Sequence, residues 1–87
     1  MPKIEIYTTV TCPYCHAAKS LLARKNAAYE EISVGGSAEL RQAMMARANG
    51  RYTVPQIFVG DTHVGGFEEM AALDRRGELD RLLAGSG

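Results

Sequence analysis

Lys3-Ile4-Glu5-Ile6-Tyr7-Thr8-Thr9-Val10-Thr11-Cys12-Pro13-Tyr14-Cys15 carries the chain from one hydrophobic period into another. From Lys3 to Thr8 the residues alternate and are rich in β-branched and aromatic types, which predicts a first strand. Thr9-Val10-Thr11 is a loop. Pro13 then occupies the first helical position, where proline is favoured, and Cys12 becomes the N-cap. Between Pro13 and about Asn26, Cys15, Ala18, Leu21, Leu22 and Ala23 recur at three- and four-residue spacing. Lys19, Arg24 and Lys25 point elsewhere, and the cations gather toward the C-terminal end, where the helix dipole favours them. A strand feeding a helix in this way opens a right-handed crossover to a parallel strand.

Downstream, residues 28–33 read as that second strand. Gly35-Gly36 interrupts the chain, and Ser37 caps a helix over 38–48 with Leu40, Ala43, Met44 and Ala48 on one stripe. Asn49-Gly50 closes it, glycine being suited to a left-handed position after a helix. Residues 56–59 and 62–65 flank Gly60-Asp61, a two-residue hairpin turn. A helix over 67–75 points Met70 and Leu73 inward, Gly77 ends it, and a short helix over 78–84 buries Leu79, Leu82 and Leu83. Gly85-Ser86-Gly87 is expected to fray. The order β-α-β-α-β-β-α, with a last helical turn or two, predicts an α/β fold. Its core is a four-stranded mixed sheet flanked by helices on both faces.

Composition narrows the function. Eighty-seven residues, 46% apolar and 23% charged, are expected to form a single domain over 1–87 with one small core. Ten basic residues balance ten acidic ones, which argues against nucleic acid or an anionic membrane as partner. No apolar run approaches the roughly 18–20 residues of a membrane span. Glu5 interrupts the N-terminal apolar stretch, so no signal-peptide core is read there and the expected location is cytoplasmic. Two cysteines lie within four residues of each other, too close for a bridge between them to staple a fold. They serve chemistry or a metal.

Cys12-Pro13-Tyr14-Cys15 sits at the start of a helix. There the Cys12 sulfur can accept from the N–H groups of Tyr14 and Cys15, which have no partner inside the helix. Those donors and the dipole favour thiolate over thiol. Cys15, one turn in, faces the apolar stripe with Ala18 and Leu22. One helical turn separates the two Cα atoms by roughly 5–6 Å, within a disulfide's span. An exposed reactive sulfur with a buried partner is what a reversible dithiol requires. Other chemistry fits less well. Cys12-Pro13-Tyr14-Cys15-His16 matches the haem attachment pattern, but a domain this small hardly encloses a haem. Zinc needs two further ligands, and His16 and His63 lack a paired spacing. No metal ligand and no bound cofactor are expected.

On these residues the sequence resembles the glutaredoxin family, over nearly the whole chain, with the small bacterial dithiol members of the type-3 kind as its nearest likeness. Cys12-Pro13-Tyr14-Cys15 matches the family's dithiol site, Thr53-Val54-Pro55-Gln56-Ile57-Phe58 its T-V-P-x-I/V-F segment, and Gly65-Gly66-Phe67-Glu68-Glu69 its G-G-x-D-D segment. The resemblance implies a thioredoxin-like fold and a cis Val54–Pro55 bond, where the local sequence alone also allows an ordinary trans proline. It implies that glutathione is the reducing co-substrate, and that the partners are disulfide-containing or glutathionylated proteins met by a monomer. Cys12 would be the nucleophile and Cys15 the resolving thiol. Thr53, Val54 and Pro55 would pair with the extended tripeptide, and Tyr14 would flank it. Gly66, Phe67 and Glu68, at a helix N-terminus, would hold its γ-glutamyl carboxylate; a plain tight turn is the competing reading of the glycines. Arg51 matches a basic position near the glycine carboxylate, or is a solvated surface arginine.

The chain departs from the family at two places. Members commonly carry lysine two or three residues before the first cysteine, where this loop reads Thr9-Val10-Thr11. Glu68 stands where aspartate is usual, and glutamate is the poorer N-cap. Two alternatives remain. A redoxin served by thioredoxin reductase usually carries a tryptophan segment that this chain lacks. An iron–sulfur carrier tends to have Gly or Ser at the position of Pro13, which stiffens the loop.

Overall fold

Strand β1 (Ile4–Thr8) is central in the computed structural model, which describes residues 2–85. It pairs in parallel with β2 (Glu30–Ser33) and antiparallel with β3 (Gln56–Val59), and β3 pairs antiparallel with β4 (Thr62–Gly65). The order across the sheet is β2-β1-β3-β4. The expected fraying of Ser86 and Gly87 lies outside the described residues.

Alternation along the central strands builds two cores. Ile4 and Ile6 stand opposite Val59 and Ile57, and onto this face pack α1 (Pro13–Arg24), α3 (Phe67–Arg75) and α4 (Leu79–Leu83) through Ala18, Leu21, Leu22, Met70, Leu79 and Leu83. Tyr7 and Phe58 point the other way, against Met44 of α2 (Ala38–Arg47), with Val34 and Ala48. Tyr7 and Phe58 meet edge to face at 5.6 Å. The Arg47 guanidinium lies 4.1 Å from the Phe58 ring centre and bonds the Tyr7 hydroxyl and Glu5. A mixed four-stranded sheet with helices on both faces is therefore observed, in the thioredoxin-like arrangement that the resemblance implied.

Some details differ from expectation. Helix α1 stops at Arg24 because Asn26 adopts a left-handed φ of 55°, and β2 starts only at Glu30. Leu40 is 41% exposed and Ala43 faces solvent, because α2 rests on the sheet only through its C-terminal half, with Met45 partly buried beside Met44. Ala23 is exposed too, so the buried stripe of α1 is Cys15, Ala18, Leu21 and Leu22. Lys19 is not left to solvent: its ammonium reaches Glu31 at 3.0 Å. The hairpin turns at Gly60-Asp61 as expected. Beyond the turn, β4 spends two residues, His63 to Gly65, against one step from Phe58 to Ile57, a bulge.

Among the described residues no helix is long and apolar enough to cross a membrane.

Candidate active site

Three chain segments converge at the ends of β1 and β3. The first is the start of α1. Cys12 has the extended backbone of an N-cap (φ −94°, ψ 110°), and its Sγ accepts the Cys15 N–H at 3.1 Å. Of the two donors expected, only this third-position N–H makes the bond; that of Tyr14 does not. The Cys12 thiol in turn points at the Val54 carbonyl, 3.6 Å away. Both cysteines are free thiols, Cys12 partly exposed and Cys15 fully buried. Burial, then hydrogen bonding to Cys12, pushes the Cys15 thiol up to about 12. One sulfur is thus presented at the surface while the other is stored as a thiol directly beneath it.

The second segment is the loop ahead of β3. Its Val54–Pro55 bond is cis. Gln56, the first residue of β3, is completely buried and donates its side-chain amide to the Thr53 carbonyl at 3.0 Å and the Thr53 hydroxyl at 3.3 Å. The third is the start of α3, where Gly66 is the N-cap. Here the structure corrects the expectation of bare donors. The Gly66 N–H is already held by the Glu69 carboxylate at 2.6 Å, leaving the N–H groups of Phe67 and Glu68 without a partner among the described residues. Glu68 is not the cap either. It is an exposed first-turn residue, and Glu69 does the capping. That hydrogen bond, followed by pairing with Arg51, holds the Glu69 carboxyl below the usual carboxylate range. Arg51 reaches Glu69 at 3.3 Å, so it is neither free nor merely solvated.

Between these segments runs a groove of about 230 Å³ lined by Tyr14, Arg51, Thr53, Val54, Pro55, Gly66, Phe67, Glu68 and Glu69. Eight of those nine were expected from the sequence; Glu69 was not assigned a role. The signal for it was present, since a glutamate three residues after an N-cap is placed to reach back to the cap's N–H. The Tyr14 and Phe67 rings lie 6.3 Å apart across the groove. Two helix N-termini therefore border one groove, and their dipoles favour an anionic ligand. A larger cleft of about 880 Å³ lies between β4, α3 and α4, but neither Tyr14 of the Cys12–Cys15 turn nor Val54, whose carbonyl meets Cys12, borders it, whereas both line the smaller groove. Thiolate chemistry belongs to the smaller groove. No group of three or more His, Cys, Asp or Glu side chains among the described residues is arranged to hold a metal ion.

The chain is similar to known proteins in sequence and in fold. The glutaredoxin family model matches residues 4–64. A glutaredoxin from Pseudomonas aeruginosa is 54% identical over 84 residues, covering 97% of this chain and 99% of its own length. Glutaredoxin 3 of Escherichia coli is 51% identical over 83 residues, covering 95% and 99%. Among solved structures, the glutaredoxin of Brucella melitensis superposes with a TM-score of 0.84 at 51% identity, covering 95% of this chain and 89% of that one. A buckwheat glutaredoxin–glutathione complex superposes with a TM-score of 0.87 at 26% identity, covering 99% and 80%.

Proposed function

The chain belongs to the glutaredoxin family and is a thiol–disulfide oxidoreductase, and we propose that glutathione is its reducing co-substrate. In this reading it reduces protein disulfides and protein–glutathione mixed disulfides in the cytoplasm, acting as a monomer. The observation that carries it is the Cys12 sulfur, capped by the Cys15 N–H and lying 3.6 Å from the Val54 carbonyl at the edge of the groove. An extended tripeptide thiol bound there pairs with the Val54 backbone as one strand pairs with another. Its carboxylate meets the open N–H groups of Phe67 and Glu68.

The chemistry follows from the two sulfurs. The Cys12 thiolate attacks the glutathionyl sulfur of a mixed disulfide; that S–S bond breaks, a Cys12–glutathione bond forms, and the protein leaves as its thiolate. A second glutathione thiolate then attacks the bound glutathionyl sulfur, releasing oxidised glutathione and restoring Cys12. With a protein disulfide, Cys15 instead displaces the protein from Cys12, leaving a Cys12–Cys15 disulfide that two glutathiones reduce. The stored proton orders these steps. Two of the influences holding Cys15 as a thiol are its hydrogen bond with Cys12 and the Cys12 charge. Both vanish once Cys12 is covalently capped, so Cys15 ionises more easily just when it must attack.

Turnover of a glutathionylated peptide, coupled through glutathione reductase, tests this directly. The peptide should be released in proportion to glutathione oxidised. Reduction by thioredoxin reductase with no response to glutathione would establish the other redoxin reading instead. The loop before Cys12 offers a graded check. Thr9→Lys adds a cation near the reactive sulfur and should lower the KM for glutathione about two- to tenfold, most visibly at low ionic strength. An unchanged KM would show that the two helix termini already supply the attraction.

A further inference from the structure

Gln56 and Thr8 are the buried polar side chains among the described residues, and the Gln56 amide joins the active-site loop to the edge strand. Thr53 offers it a carbonyl, which only accepts, so the amide nitrogen must face Thr53. The amide oxygen then faces His63, whose Nε2 lies 2.7 Å away. An oxygen acceptor at that distance requires the proton on Nε2. Burial, with the charges of Arg51 and Arg47 opposed by Glu69, disfavours the imidazolium and so favours the neutral Nε2–H form. The imidazole is also stacked on Phe58, 4.8 Å between ring centres and 22° between planes. The β4 bulge keeps His63 opposite Phe58 while the strand runs on to Gly65, which precedes the α3 cap. A continuous run of hydrogen bonds therefore leads from the edge strand through the buried amide to Thr53, one residue before the carbonyl that meets Cys12.

We propose that Gln56 and His63 are positioning residues for substrate: His63 fixes the Gln56 amide, Gln56 fixes Thr53, and together they hold the Val54 backbone ready for an extended thiol peptide beside Cys12. Neither side chain borders the groove. This rests on the reading that a glutathionyl ligand pairs with Val54. Loss of the His63 donor leaves the buried Gln56 amide oxygen unpaired, and loss of the Gln56 amide removes the bonds that hold Thr53; either change frees the loop. The effect is on ligand binding; the Cys12 sulfur, capped by its own helix, keeps its reactivity.

Three variants decide it. His63→Phe keeps the stack on Phe58 and removes the donor, His63→Gln restores a donor, and Gln56→Leu removes every link. For a glutathionylated peptide, His63→Phe and Gln56→Leu should raise KM about three- to tenfold with kcat changed less than about twofold. His63→Gln should bring KM back to within about twofold of the unaltered protein. Alkylation of Cys12 by iodoacetamide, which needs no loop, should be unchanged throughout. KM unmoved in His63→Phe, or kcat and thermal midpoint falling with KM unmoved, overturns the proposal. Should Gln56→Leu not fold, the His63 pair decides alone. Should the unaltered protein show no preference for glutathionylated over plain peptide disulfides, the glutathione reading fails separately. Positioning is then read from the Thr53 and Val54 amide resonances, which must shift in His63→Phe and return in His63→Gln; resonances that stay put refute it.

Discussion

Cys12→Ser is expected to lower thiol–disulfide exchange by at least ~1,000-fold toward every disulfide substrate, because a serine hydroxyl ionises far too weakly to replace the thiolate. Cys15→Ser should behave differently. Cys15 lies beneath Cys12 with no exposed surface, so it reaches only a disulfide already formed on Cys12. Release of a glutathionylated peptide needs Cys12 and free glutathione alone and should survive within a few-fold. Reduction of a protein disulfide through the dithiol route should be lost. Parallel assays of both variants on both substrates read this division. Activity retained by Cys12→Ser, together with a dead Cys15→Ser on the glutathionylated peptide, would reverse the roles assigned to the two sulfurs.

A second large effect is expected in alkali, from Cys15 again. Its thiol is pushed up to about 12 in the folded protein, first by burial and then by Cys12, whereas an unfolded cysteine titrates near ~8.5. The folded state retains a proton that the unfolded chain gives up. The stability this contributes is complete below the unfolded value and is lost as pH climbs toward 12. Unfolding of the reduced protein should be compared with that of Cys15→Ala at pH 7, 9, 10 and 11, a difference in which tyrosine and lysine titrations cancel. The advantage of the cysteine protein should shrink across this range by on the order of 2–4 kcal/mol. A difference independent of pH would show that the fold does not hold Cys15 as a thiol, and the ordering of steps argued above would fall with it.

These two expectations stand on different kinds of information. Cys12 at a helix N-cap follows from Pro13, from the alternation before it and from the three- and four-residue spacing after it. Local rules of this kind act over a few residues and need no fold. They also delivered the element order, the Gly60-Asp61 turn and the mixed sheet. With the family's motifs quoted from the same chain, they named eight of the nine residues around the groove. Segments that line a site by their backbone can be read this way, because glycine, proline and capping residues mark them in the sequence.

Side-chain commitments over longer distances were not legible. Glu69 and Arg51 are 18 residues apart, and only the packing of α3 beside the loop before β3 shows that the carboxylate reaching back to Gly66 also pairs with Arg51. Lys19 had the spacing of a solvent-facing residue, but parallel pairing of β1 with β2 sets Glu31 within its reach. Leu40 fits an apolar stripe and still lies half in solvent, because periodicity tells which face of a helix turns inward and not how far the sheet extends beneath it. Gln56 shows the limit most clearly. Strand alternation puts it on the face shared with Phe58, but the partners of its amide come from a folded-back loop and from a strand whose register is shifted by a bulge. A short polar side chain is committed by whatever the tertiary structure brings within about 3 Å, and no spacing rule along the chain carries that distance.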